Sequence, residues 1–205
     1  MRARDNPFRT DQVLTIRYRM IDGSFLGMME RLPELGYRGA IIGPKGAGKT
    51  TLLEDLEPAL TALDFNITRL RLDDRQRSFP PAFLKNFFDR LTVRDFVLFD
   101  GAERLSRLAW LRFKMRTKKA GGLIVTSHRA GLLPTLKECR TTPEVLTEIL
   151  EKLAGTPPAD REVRLLYERH HGNLREALRE MYDVYSAKGE KVLSAEQKPK
   201  TLMAL

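Results

Sequence analysis

At 205 residues the chain is long enough for one sizeable hydrophobic core with a small appendage, and 42% hydrophobic against 31% charged residues is the balance of an ordinary globular protein. One cysteine, Cys139, excludes an internal disulfide and favours a reducing compartment; no apolar run reaches bilayer length, and the basic start leads into no signal-peptide core, so a cytoplasmic protein is expected. A formal net charge of +9 and a pI near 9.8 favour nucleic acid, anionic membrane or an acidic protein as partner, without choosing among them.

Leu14, Ile16, Tyr18 and Met20 alternate with Thr15, Arg17 and Arg19, which is strand periodicity. Ser24 reads as the N-cap of a helix carrying Phe25, Met28, Met29 and Leu32, closed by Gly36. This opening segment is expected beside a nucleotide, with Pro7, Phe8 or Tyr18 either against a base or packed in the core. Residues 38–42 are short and apolar, as a buried strand should be, and a helix is expected from Thr51 to about Leu63. Between them lies Gly43-Pro44-Lys45-Gly46-Ala47-Gly48-Lys49-Thr50, the spacing of a phosphate-binding P-loop.

Residues 65–72 read as a second strand, ending in the charged loop Asp73-Asp74-Arg75-Gln76-Arg77-Ser78. After Pro80-Pro81, Phe83, Phe87 and Leu91, widened by Leu84 and Phe88, form a core-facing helical stripe. Residues 95–100 are an apolar strand ending in Asp100. Residues 103–119 predict a helix dense in base, with Arg104, Arg107, Arg112, Lys114, Arg116, Lys118 and Lys119. Its apolar stripe is Leu108, Leu111 and Met115, while Trp110 and Phe113 fall away from it. That helix is either a solvated basic face or a surface for a phosphate backbone or partner, anchored by Trp110.

A fourth strand over 121–128 ends in Thr126, Ser127 and His128, and residues 133–140 predict a fifth. Three helices follow. Thr141 or Thr142 caps the first, whose apolar face is Leu146, Ile149, Leu150 and Leu153. Pro157-Pro158 breaks the chain, and Val163, Leu166, Tyr167 and His170 mark the second helix. Gly172-Asn173 ends it and caps the third, with Leu174, Ala177, Leu178, Met181 and Tyr185 inward. The expected boundaries are an α/β core over 1–140, a helical lid over 141–188 and a flexible tail over 189–205.

The strand, glycine loop and helix N-terminus would surround a polyphosphate with backbone N–H groups, aided by the helix dipole. Gly43, Pro44, Lys45, Gly46, Ala47, Gly48, Lys49, Thr50 and Thr51 are the expected nucleotide-binding set. Lys49 would reach the β- and γ-phosphates, and the Thr50 hydroxyl would ligate Mg²⁺. Asp100, ending its strand as a Walker B aspartate does, would hold the same ion, usually through water. Thr126 or Ser127 stands where a γ-phosphate sensor would sit, and His128 is either a polar contact there or a surface group. ATP and Mg²⁺ are the expected cofactors. Strands alternating with helices imply a parallel sheet covered on both faces.

Reaching the Walker B strand only after an intervening strand and helix resembles the additional-strand (ASCE) class of P-loop NTPases, in which a sensor strand lies between the P-loop and Walker B strands. The three terminal helices resemble the lid of AAA+ ATPases. Gly172-Asn173-Leu174-Arg175-Glu176 is similar to the motif supplying that family's second sensor arginine, which implies that Arg175 reaches the γ-phosphate. The chain departs from the family directly after Asp100, where a glutamate usually serves as general base. Here Gly101 and Ala102 intervene, and the first acid is Glu103. Lys49, Glu103, Ser127 and Arg175 form the expected catalytic set, with hydrolysis slowed if Glu103 reaches back poorly. Arg129 and Arg140 lie where a trans-acting arginine finger would be sought in an oligomer.

The leading expectation is an ATPase or nucleotide-dependent switch acting on a macromolecule, DNA first because of the charge, or a protein. An ABC-type ATPase is the alternative suggested by Thr126-Ser127-His128, but the Leu-Ser-Gly-Gly-Gln signature is missing. A small-molecule kinase would use Asp73 for an acceptor hydroxyl, with Arg75 and Arg77 nearby. A GTPase is disfavoured because no Asn-Lys-x-Asp motif occurs.

Overall fold

The structure is a computed structural model that describes residues 5–156 and 159–196, with side chains described to residue 187. In chain order the elements are α1 (Thr10–Val13), α2 (Phe25–Glu34), β1 (Arg38–Ile42), α3 (Lys49–Ala62), β2 (Asn66–Arg71), α4 (Pro81–Arg90) and β3 (Asp95–Asp100). They continue with α5 (Arg107–Arg116), β4 (Gly122–Ser127), β5 (Thr135–Glu138), α6 (Pro143–Ala154), α7 (Asp160–Arg169) and α8 (Leu174–Glu196). Contacts divide the chain into two units: Arg17–Arg140, and the segment ending at Ile16 together with the chain from Thr141 onward.

The first unit holds a five-stranded sheet in the order β2-β3-β4-β1-β5, and every pairing is parallel. Parallel strands need crossovers; α3, α4 and α5 supply three of the four and cover both faces, while residues 128–134 carry β4 over to β5 without a helix. Side chains alternate across the sheet. Phe96, Leu98 and Ile124 pack with Leu52, Leu56 and Leu60 of α3 and with Met28 and Leu32 of α2. Val97, Phe99, Leu123 and Val125 pack with Phe88 of α4 and Trp110 and Phe113 of α5. Every residue of β4 is therefore buried. β4 lies between β1 and β3, the place where the sequence reading expects an additional strand. Among the described residues no helix is long and apolar enough to cross a membrane.

Three expectations fail here, each for a physical reason. Residues 14–20 form no strand. Asp55 of α3 instead accepts the Tyr18 backbone N–H at 2.8 Å and an Arg17 guanidinium N–H at 2.7 Å, so a helix side chain supplies the bonds a ladder would have made. Tyr18 and Met20 still turn inward against the α2–α3 side, whereas Leu14 is exposed, so the alternation holds for only part of the stretch. In α4, Phe88 is buried but Phe83 is exposed, so the stripe is narrower than expected.

The third failure is α5, which is rotated from its expected orientation. Trp110 and Phe113 are buried, whereas Leu108, Leu111 and Met115 are more than half exposed, at 56%, 53% and 59%. Phe113 lies 5.0 Å from Phe99, 5.5 Å from Phe88 and 6.1 Å from Trp110 between ring centroids. Burying the two large rings lets Phe113 make edge and tilted contacts with Phe88 and Phe99, which the Leu108–Leu111–Met115 face could not make. Trp110 is thus a core residue and anchors no outside partner. Ser106 caps the helix by accepting the Ala109 N–H. At the other end the half-buried Arg38 guanidinium donates to the carbonyls of Thr117 at 2.6 Å and Ala120 at 3.3 Å.

The second unit packs α6, α7 and α8 around Leu146, Leu150, Val163, Leu166, Leu174 and Ala177. Phe8 belongs to this cluster, with its ring 5.0 Å from Tyr185 in an edge contact, and so lies in a helical core rather than beside a base. Asn6 is nearly fully buried and satisfied: its amide donates to the Tyr182 carbonyl at 2.9 Å and Ser186 Oγ at 3.0 Å, and its Oδ1 accepts the Phe8 N–H. The segment up to Ile16 therefore groups with the helices, not with the core unit where the sequence reading put it. Helix α8 runs to Glu196, past the boundary expected at residue 188. The rest of the expected tail, and the break at Pro157-Pro158, lie outside the described residues. Phe8→Ala is expected to cost about 3 kcal/mol of stability through the cavity it leaves. Urea unfolding followed by circular dichroism measures this, and a cost near zero would remove Phe8 from the core.

Candidate nucleotide site

The phosphate loop joins the end of β1 to the start of α3. Gly48 is its last residue, with φ +80°, and a Cβ there would stand 2.9 Å from the Tyr18 ring. Glycine thus permits both the left-handed turn and the close approach of Tyr18. Burial, and secondarily the neighbouring Cys139, push the Tyr18 hydroxyl well above the usual phenol range, so it stays neutral. Tyr18, one of the three residues considered for base contact, lies against the loop. Gly48 offers no side-chain cap to α3, and no acid occupies the helix's first turn. The first N–H groups and the positive end of the dipole are the features that suit an anion. Ala47 is buried in the α3-side core, Pro44 and Lys45 are exposed, and Gly46 and Thr51 are half-buried.

Lys49 is buried to 9% exposure, and its ammonium donates to the Gly43 carbonyl at 2.8 Å and the Pro44 carbonyl at 2.7 Å. A buried cation needs such partners, and these hold the ammonium inside the curve of the loop. The Gly43 N–H donates to the Ser127 carbonyl at 3.2 Å, which ties the loop to the end of β4.

Asp100 ends β3 and gathers two hydroxyls. Thr50 Oγ1 donates to Asp100 Oδ2 at 3.0 Å, and Thr126 Oγ1 donates to Asp100 Oδ1 at 2.6 Å. Thr126 Oγ1 also accepts the Gly101 N–H at 2.8 Å. Thr126, rather than Ser127, is therefore the β4 side chain in the cluster. Ser127 turns the other way and closes a bend, donating to the Arg129 carbonyl at 2.8 Å and accepting the Arg129 N–H at 3.3 Å. Strand alternation decides this: Thr126 shares the face of Ile124, which packs towards α3, and Asp100 shares that of Leu98.

Register adds a residue the sequence reading missed. Arg71 pairs with Asp100 across β2 and β3, and its Nε lies 3.9 Å from Asp100 Oδ2. No sequence signal marks Arg71, because strand register is not written locally.

Gly101 has φ +83°, and a Cβ there would lie 2.2 Å from the Leu72 carbonyl oxygen. The position that is glutamate in AAA+ proteins thus has no room for any side chain. The turn carries Glu103 instead, on the short helical turn Ala102–Arg104. One Glu103 carboxylate oxygen lies 3.6 Å from His128 Nε2, at the end of β4; the other is buried with no hydrogen-bond partner. An unpartnered buried carboxylate oxygen fits a bound water or substrate proton. Arg129 is exposed, and Arg140 is paired with Glu138 at 3.1 Å. Arg175 is exposed in the first turn of α8, in the helical unit.

Thr50 and Asp100 are oxygen donors that could take part in holding a hard divalent cation such as Mg²⁺. Among the described residues no group of three His, Cys, Asp or Glu could hold a metal ion. One carboxylate and one hydroxyl beside a phosphate loop are what Mg²⁺ takes when phosphates and waters complete its octahedron.

No protein-family model matches the chain, and no curated protein matches it. Solved structures do. A replication initiator DnaA bound to AMPPCP and single-stranded DNA is similar at 17% identity and TM-score 0.60, covering 93% of this chain and 69% of that one. A DNA replication initiation factor matches at 20% identity and TM-score 0.58, over 84% and 63%. The Thermotoga maritima RuvB Holliday junction branch migration motor matches at 19% identity and TM-score 0.52, over 80% and 62%. The chain thus spans less than two thirds of the length of the RuvB chain it resembles. With the sheet order and the cluster at Asp100, these likenesses give the chain the fold of an additional-strand P-loop NTPase of the AAA+ type.

Proposed function

We propose that the protein is an AAA+-like ATPase, or a switch set by the bound nucleotide, that takes ATP with Mg²⁺ and acts on DNA. The observation that carries the reading is the joining of Thr50, Asp100 and Thr126 at the mouth of the phosphate loop. Residues 43–51 would bind the polyphosphate, with Lys49 exchanging its loop carbonyls for phosphate oxygens. Thr50 and Asp100 would hold Mg²⁺, which would neutralise charge on the β- and γ-phosphates. Thr126 links Asp100 to the backbone of Gly101, so a change at the γ-phosphate would be felt along the Glu103 turn. Glu103 would accept a proton from the attacking water through its unpartnered oxygen.

DNA is favoured by the net charge of +9 and by the solved relatives, one described with single-stranded DNA and another as a branch-migration motor. The switch reading is favoured by one observation: the base stands beyond Gly101 and beside His128.

ATP turnover measured with and without DNA tests the proposal. DNA should raise the rate, and Lys49→Ala should abolish it. Glu103→Gln should slow turnover about 100-fold while leaving ATP affinity unchanged. Turnover unaffected by Glu103→Gln removes that residue as base. Failure to bind an oligonucleotide at low salt removes DNA as the partner.

A further inference from the structure

The inverted orientation of α5 leaves an apolar line where a solvated helix would be polar. Leu108, Leu111 and Met115 are all more than half exposed and spaced by three and then four residues. That is the a, d, a spacing of a heptad seam. In the same frame Arg107 and Lys114 fall at g and Arg112 at e, so both flanks of the seam are basic. Lys118 and Lys119 continue the basic run in the turn after the helix, and no acid occurs between residues 104 and 119. No ion pair to Arg107, Arg112 or Lys114 is seen among the described residues. The helix is rigidly held from beneath by the Trp110–Phe113 ring cluster, by the Ser106 cap and by Arg38.

We propose that α5 is a docking ridge for an amphipathic helix of another protein, with apolar residues at heptad spacing and Asp or Glu on both sides of them. Charge selects this occupant. A second copy of the ridge would set like charges against one another at the e and g positions, which is destabilising. A phosphate backbone would meet the cations but strand the apolar line between them, since phosphate contacts come from Arg, Lys and polar donors. A membrane-surface helix needs a broad apolar face, whereas this one is a single line. An acidic amphipathic helix satisfies the line and both flanks together. Because the ridge is preformed, little ordering cost falls on this side of the interface.

The probe is a labelled peptide of about three heptads with Leu at a and d and Glu at e and g, whose glutamates keep it from pairing with itself. Its binding to the full chain is read by fluorescence anisotropy. The Glu peptide should bind and should weaken with salt, and the same peptide with Lys at e and g should not bind. L108S/L111S/M115S should weaken the Glu peptide at least tenfold while circular dichroism shows the chain still folded at the assay temperature, because all three side chains are more than half exposed. R107E/R112E/K114E should reverse the preference to the Lys peptide, a gain that misfolding cannot imitate. The proposal is overturned if neither variant changes peptide binding. It is also overturned if the serine variant instead loses an oligonucleotide or anionic vesicles while the Glu peptide never binds.

Discussion

Gly101→Glu, which would write the usual AAA+ acid pair at Asp100, is expected to destabilise the sheet unit by about 4 kcal/mol and to slow any ATP turnover rather than speed it. Position 101 has φ +83° and ψ 33°, the left-handed region that costs a residue with a side chain free energy. The added Cβ would lie 2.2 Å from the Leu72 carbonyl oxygen, and that atom is backbone with no rotamer to escape into. The Leu72 N–H is meanwhile bonded to the Asp100 carbonyl at 2.9 Å, so relief of the clash pulls β2 from β3. It also draws the Gly101 N–H from Thr126, loosening the cluster around Asp100. Gly101→Ala should carry most of the effect, because the clash begins at Cβ. Urea unfolding of both variants measures it. A Gly101→Glu protein of unchanged stability and faster turnover would refute the steric account.

The second large effect separates two adjacent residues. Thr126→Val keeps the shape of a fully buried side chain but removes the hydroxyl that serves Asp100 and Gly101. It is expected to cost about 2 kcal/mol, because the Gly101 N–H is left buried and unsatisfied. It should also weaken Mg-ATP binding, because Asp100 loses the bond that orients it. Ser127→Ala should change ATP binding by less than about twofold, since its hydroxyl serves only the bend at Arg129. Calorimetric titration of Mg-ATP into the two variants reads the contrast. Equal losses would mean that the cluster acts through the strand end as a whole.

The parts legible in the sequence were those whose chemistry is local. The loop from Gly43 to Thr50 carries its own spacing, and β1 and β3 declare themselves by continuous apolar residues flanked by turns. What eluded the sequence depends on neighbours from elsewhere in the chain. Thr126 and Ser127 are equally placed at a strand end until α3 is known to cover one face. Helix α5 has two apolar faces, and only the rings of Phe87, Phe88 and Phe99 decide between them. The alternation at residues 14–20 holds only for Tyr18 and Met20, since Leu14 is exposed, and the hydrogen-bonding partner of this stretch is Asp55, a helix residue far along the chain. Phe8 could be recognised as apolar, while its partner Tyr185 lies at the far end of the sequence.

The sheet order also dictates a timetable for the chain as it leaves the ribosome. β1 pairs only with β4 and β5, so the strand beneath the phosphate loop has no lateral partner until residues 122–138 have been made. β2 and β3 can pair with each other earlier, but they meet β1 only through β4. The nucleotide motif at residues 43–50 is therefore completed only after residues 122–138 have been made. Asn6 and Phe8 wait longer still, for Tyr182, Tyr185 and Ser186. Such non-local closure makes folding slow and leaves apolar strands exposed meanwhile. A nascent chain stopped before residue 122 should neither retain ATP nor resist proteolysis, and both properties should emerge together once β5 is out.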